Sequence, residues 1–79
     1  MQFINTGLTA LEFKDKQGDE EREFDMVNIV VILNSGLIAG GGYSGSCNSR
    51  HDSSFDIETF SDESIELEVD EIKEIYLVT

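Results

Sequence analysis

Apolar positions along this chain recur mostly at every second residue, in short runs separated by turn-forming residues. In residues 8–14, Thr9, Leu11 and Phe13 share one side, which predicts a short strand. Lys16-Gln17-Gly18-Asp19 predicts a turn, although the Glu-rich stretch 15–25 also tolerates a helix. Residues 22–33 carry the strongest pattern. Val27, Ile29, Val31 and Leu33 lie on one side, while Met26, Val30 and Ile32 fill most of the other around Asn28. A strand apolar on both sides is expected to be central and covered on both faces. Asn34-Ser35-Gly36 predicts a tight hairpin connection, because Gly36 can take the positive φ such loops require. Leu37 and Ile38 then begin the return strand.

Residues 40–53 have no apolar period. Four glycines and four serines predict a mobile loop, an irregular edge, or a bulge where another backbone comes close. Tyr43, inside that segment, is a candidate exposed contact aromatic. Alternation returns over residues 55–60, where Phe55, Ile57 and Thr59 share a side, and Ser61-Asp62-Glu63 predicts the next turn. Ile65, Leu67 and Val69 alternate with Glu66, Glu68 and Asp70, the cleanest strand signal in the chain. Residues 70–73 predict one helical turn, and residues 75–78 a last strand.

Five or six short strands in 79 residues predict a single, mainly β domain over 1–79: a small antiparallel β-barrel or curled sheet, with room for one short helix. Over roughly residues 24–79, the order of hairpin, strand, acidic strand, one short turn and final strand resembles SH3-like and Sm-like small barrels. That resemblance implies a curled sheet of this kind and brings no site residues with it.

A domain of this length buries only about 60% of its extended-chain surface. A deep catalytic cleft would remove much of so thin a core, which argues for a binding protein rather than an enzyme. Charge sharpens this: 17 acidic against 5 basic residues leave a formal net charge of −12. Such a field repels nucleic acid and anionic membranes and attracts basic surfaces. The acid is also located. Residues 1–25 hold seven carboxylates, residues 26–51 none, and residues 52–79 the other ten against Lys73 alone. One cysteine, Cys47, and the absence of a leader pattern or a long apolar run lead to the expectation of a soluble, cytoplasmic protein.

Candidate chemistry is sparse. Cys47, His51 and Asp52 provide a nucleophile, a base and an orienting carboxylate, and a hydrolase built on them is one reading. Their place in a glycine- and serine-rich segment offers little rigid support, so they are expected to be ordinary polar residues. Gly40-Gly41-Gly42-Tyr43-Ser44-Gly45 lacks the Lys-Ser/Thr ending of a phosphate-binding loop. Neither a tetrahedral zinc set nor a calcium loop is present, so no metal or cofactor is expected.

The carboxylates themselves stand out. A three-residue loop at Ser61-Asp62-Glu63 sets Thr59 opposite Ile65, Ile57 opposite Leu67 and Phe55 opposite Val69, with Glu58 opposite Glu66 and Asp56 opposite Glu68. Like charges facing across a ladder weaken it. A face chosen only for solubility would intersperse Lys and Arg. The candidate partner-binding residues are therefore Asp56, Glu58, Asp62, Glu63, Glu66, Glu68, Asp70 and Glu71, with Tyr43. The expected function is that of a small inhibitor or regulator docking on a basic, nucleic-acid-binding protein, with carboxylate rows imitating a phosphate backbone. In size and charge the chain resembles phage anti-defence proteins of the anti-CRISPR and anti-restriction kind, and toxin-immunity partners. The alternative is a structural or adaptor barrel that self-associates through its strand edges.

Overall fold

In the computed structural model, which describes residues 1–19, 26–45, 48 and 51–79, the alternating runs become strands of one antiparallel sheet. In chain order the elements are β1 (Phe3–Asn5), α1 (Ala10–Asp19), β2 (Met26–Leu33), β3 (Ile38–Ser44), β4 (Ser54–Glu58), β5 (Ser64–Glu68), a 3-10 turn (Val69–Glu71) and β6 (Ile72–Val78). The sheet order is β1-β6-β2-β3-β4-β5, so β1 and β5 are open edges and the described strands are not closed into a barrel. The fold is mainly β, with one short helix among the described residues.

β2 is central, as its apolar pattern requires, but the described residues cover only one of its faces. Ile29, Val31 and Leu33 are buried, Val30 and Ile32 are half-buried, and Met26 is exposed on the other side. The described residues supply a single α-helix, and it packs on the Ile29 side with Phe55, Ile57, Leu67 and Ile75 in the same core. The expectation of two covered faces is thus corrected. The opposite, outer face of β2 is left without a covering element among the described residues.

The first segment is a helix rather than a strand. Thr9 and Glu12 form a reciprocal cap: the Glu12 N–H donates to Thr9 Oγ1 at 3.2 Å, and the Thr9 N–H donates to Glu12 Oε1 at 3.0 Å. The Thr9 backbone N–H first, and then the Thr9 hydroxyl, hold the Glu12 carboxyl below its ordinary pKa. Ala10, Phe13 and Lys14 recur at helical spacing and turn inward, whereas Leu11 is 59% exposed. The turn expected at Lys16-Gln17-Gly18-Asp19 is the end of this helix, and residues 20–25, where a helix was also considered, lie outside the described residues.

Lys14 has no room to be solvated: its side chain is 1% exposed. Its ammonium donates to the Asp52 carbonyl at 2.9 Å, to Asp52 Oδ1 at 3.2 Å and to the Ser54 carbonyl. With all three protons used, the buried cation bolts α1 to the start of β4. Phe13, one residue earlier, packs edge-on against Tyr43 with centroids 5.0 Å apart, and Tyr43 meets Phe55 at 4.9 Å.

The glycine run is not a loop; residues 40–44 belong to β3, next to β2. Gly41 nevertheless marks a close backbone approach, since a Cβ there would overlap the Glu58 carbonyl of β4. β3 and β4 share a single register pair, Gly42 with Glu58. Beyond it, the buried Asn48 side chain substitutes for a neighbouring strand: Nδ2 donates to the Ser44 carbonyl at 2.9 Å and the Asp56 carbonyl at 3.1 Å, and Oδ1 accepts the Asp56 N–H at 2.7 Å.

Two stability predictions follow from these contacts. Lys14→Met keeps most of the packing but strands the Asp52 and Ser54 carbonyls, and should cost about 1–3 kcal/mol in urea unfolding; an unchanged midpoint would show that the bolt carries no stability. Gly41→Ala should cost about 1–3 kcal/mol because the obstacle is backbone, whereas Gly42→Ala should cost less than about 1 kcal/mol. At Gly42 the obstacle is the exposed Met26 side chain, which can move aside. Equal losses at the two positions would contradict the distinction.

Candidate functional site

The β4–β5 hairpin separates its side chains by parity. Phe55, Ile57, Ile65 and Leu67 face the core, and Asp56, Glu58, Glu66 and Glu68 face outward. That division is as expected, but the register differs by two residues. Asp56 lies opposite Glu66, Ile57 opposite Ile65 and Phe55 opposite Leu67, while Glu58 faces Ser64 and Glu68 faces Ser54. One like-charge pair replaces the two expected.

The turn explains the shift. Its loop is Phe60-Ser61-Asp62, closed by the Thr59 N–H donating to the Glu63 carbonyl at 2.7 Å and the Asp62 N–H donating to the Thr59 carbonyl at 3.1 Å. Asp62 takes φ of +64°, the left-handed position that ends such loops. Asp tolerates that conformation better than most non-glycine residues. Phe60 is spent at the tip, 74% exposed, rather than paired in the strand.

The other predicted residues divide between places. Asp62 and Glu63 lie exposed in this turn at one end of β5. Asp70 and Glu71 sit in the 3-10 turn at the other end, where their carbonyls accept the Asn34 side-chain amide at 2.7 Å and the Asn34 N–H at 2.8 Å. The Glu71 carboxylate is turned back onto the Glu68 N–H at 3.3 Å, and Glu68 Oε2 accepts the Ser53 hydroxyl at 2.6 Å. The strands therefore carry Asp56, Glu58, Glu66 and Glu68, with Asp62 and Glu63 in the turn at one end of β5 and Asp70 and Glu71 in the 3-10 turn that follows Glu68 at the other.

Tyr43 is not a surface contact. It is 1% exposed in the aromatic cluster, because β3 places it on the core side opposite Val27. Its hydroxyl is buried and has no hydrogen-bond partner among the described residues. Burial first, and then the negative charges of Asp52 and Asp56, push the phenol well above its ordinary pKa.

Of the Cys47, His51 and Asp52 set, Cys47 lies outside the described residues. Asp52 Oδ1 is engaged elsewhere, accepting from the Ser54 N–H at 3.0 Å, the Ser54 hydroxyl at 2.7 Å and Lys14. Among the described residues, no group of three or more His, Cys, Asp or Glu side chains is placed to hold a metal ion, and no helix is long and apolar enough to cross a membrane. No protein-family model, curated protein or solved structure matches this chain.

Sequence reasoning missed Lys14 and Asn48. The Thr9-x-x-Glu12 cap was the available signal for the helix that buries Lys14. Nothing local marks Asn48, whose partners are set by how β3 and β4 meet.

The Ser54 hydroxyl, then Lys14, hold the Asp52 carboxyl below its ordinary value of 3.8. A lowered folded pKa means that the ionised carboxylate stabilises the fold above the unfolded value, a contribution that vanishes as pH falls through the folded one. Asp52→Asn should therefore be less stable than the natural chain at pH 7, with the gap closing as pH falls below the ordinary carboxyl value of 3.8. Urea midpoints across that range test this, and a gap independent of pH would refute it.

Proposed function

We propose that this protein is a small acidic inhibitor or regulator that docks its β4–β5 face on a basic protein, one that itself binds nucleic acid, and that it acts by binding rather than catalysis. The observation that carries this reading is Asp56 directly opposite Glu66 on a face whose other charged positions, Glu58 and Glu68, are also acidic. The fold tolerates this repulsion without placing a Lys or Arg on either strand to relieve it. Carboxylates alternating along two adjacent strands form a row of negative charge of the kind a phosphate-binding surface accepts, and the −12 field accelerates encounter with it. A cytoplasmic partner, such as an enzyme or complex acting on nucleic acid in a phage anti-defence or toxin-immunity setting, fits this chemistry.

The open sheet itself we read as curled in the manner of SH3-like or Sm-like folds. The hairpin β2–β3, then β4, the acidic β5, a 3-10 turn and β6 reproduce the chain order on which that reading rests. Self-association through strand edges has less in its favour. β1 offers only three residues, and β5 carries Glu66 and Glu68, which repel a second copy.

The decisive variant is Glu66→Lys. It turns the repulsive pair with Asp56 into an attractive one, so stability should rise by about 0.2–1 kcal/mol. Affinity for the basic protein retained from a cell extract at low salt should fall by about tenfold or more. Binding by the natural chain should also weaken steeply between low and high ionic strength. A stabilised variant that binds as tightly as before would overturn the reading.

A further inference from the structure

The outer face continues past the carboxylates onto β3, β2 and β6, and there it is apolar. Register places Ile38 beside Ile32, and Val30 between Gly40 and Tyr76. Ile38 is 69% exposed, and Val30, Ile32 and Tyr76 are half-buried with nothing described above them. This strip has acid on both flanks. On one side Glu74 accepts the Tyr76 hydroxyl at 2.5 Å; on the other stand Asp56 and Glu58. On β2, β3 and β6 the one basic residue is Lys73, exposed at the register shift beside Glu74.

Along the seam, β3 contributes no side chain at Gly40 or Gly42, and the Met26 side chain leans across Gly42. The result is a small depression of about 70 Å³ lined by Met26, Gly42, Ser44, Asp56, Glu58 and Ser64. One wall is a thioether and another a pair of carboxylates, which suits the long stem and charged head of Lys or Arg. Asp56 Oδ1 is buried and has no hydrogen-bond partner among the described residues.

Building on the proposed docking role, we infer that the outer face takes a cationic amphipathic segment of a protein, with a Lys or Arg head at the Gly42 depression and apolar neighbours on Val30, Ile32 and Ile38. Charge complementarity selects this occupant. Nucleic acid and anionic membranes are repelled by the acidic flanks, and a second copy would bring like charge to like. The carboxylates steer and orient, while the apolar strip holds the complex once formed.

Two synthetic peptides of equal length and charge, one of Lys and Leu and one of Lys and Ser, test this by titration at moderate salt. The Lys/Leu peptide should bind roughly tenfold tighter or better. Ile38→Ser, a change at an exposed position that leaves charge untouched, should remove most of that preference without altering Lys/Ser binding. Glu58→Gln should weaken both peptides. Equal affinity for the two peptides, or a preference that survives Ile38→Ser, would overturn the inference while leaving the acidic face intact. A Glu66→Lys variant that binds Lys/Ser like the natural chain would instead remove the docking reading beneath it.

Discussion

The approach of the Glu58 carbonyl to Gly41 is the constraint on which the acidic half of the molecule depends. β4 and β5 carry Asp56, Glu58, Glu66 and Glu68, yet β4 shares only one register pair with the rest of the sheet. A side chain at position 41 would force the backbones apart and remove even that pair. What completes the attachment is polar and specific: the Asn48 carboxamide on the Ser44 and Asp56 backbone, and the Lys14 ammonium on the Asp52 and Ser54 carbonyls. Apolar packing of Phe55 and Ile57 supplies the driving force, and these directional bonds fix the orientation. The hairpin is therefore held by a few groups that tolerate little change, rather than by a long ladder.

This economy lets one pair of strands serve two purposes. Because side chains alternate, the core needs only Phe55, Ile57, Ile65 and Leu67, and the intervening positions are free of packing demands. Repulsion between Asp56 and Glu66 works against the ladder, but it is a surface term of at most about 1 kcal/mol per pair. Burial of those four apolar side chains outweighs it, at about 1.5–3 kcal/mol for a fully buried large one. A fold can hold an electrostatically unfavourable face in place when the opposite face of the same strands is this apolar.

How much of this was legible depended on where the physics is local. The β2–β3 turn could be placed because Gly36 marks its left-handed residue, at φ +92°. The β4–β5 turn has the same hydrogen-bonding frame, with Leu33 and Leu37 replaced by Thr59 and Glu63, but its left-handed residue is Asp62. Without a glycine to mark it, the loop was framed one residue late, which moved every cross-strand pair by two while leaving the faces correct. The helix was hidden differently. Leu11 and Phe13 suggest a strand by spacing, and the inward position at Lys14 reads as polar although the structure buries it. The short β1, with an exposed Phe3 and Ile4, has too few residues for a pattern. Glycines 40–42 suggested a loop because their role, admitting a neighbouring backbone and leaving a floor without side chains, depends on residues far along the chain.

Burial of Lys14 also changes what the net charge means. One of the five basic residues is committed to the interior, so the surface is less balanced than composition suggests. A field of that kind draws in basic surfaces indiscriminately and falls away within about 8 Å at physiological salt. Charge alone thus gives speed without choice. Choice requires a second feature that wrong partners fail to match, and the strip of Val30, Ile32 and Ile38 lies where it can supply one. A merely cationic partner would cover that strip with polar groups and desolvate them without return. On the proposed docking role, the exposed apolar positions and the repulsive carboxylates, each a liability in isolation, would together favour a partner carrying both complements.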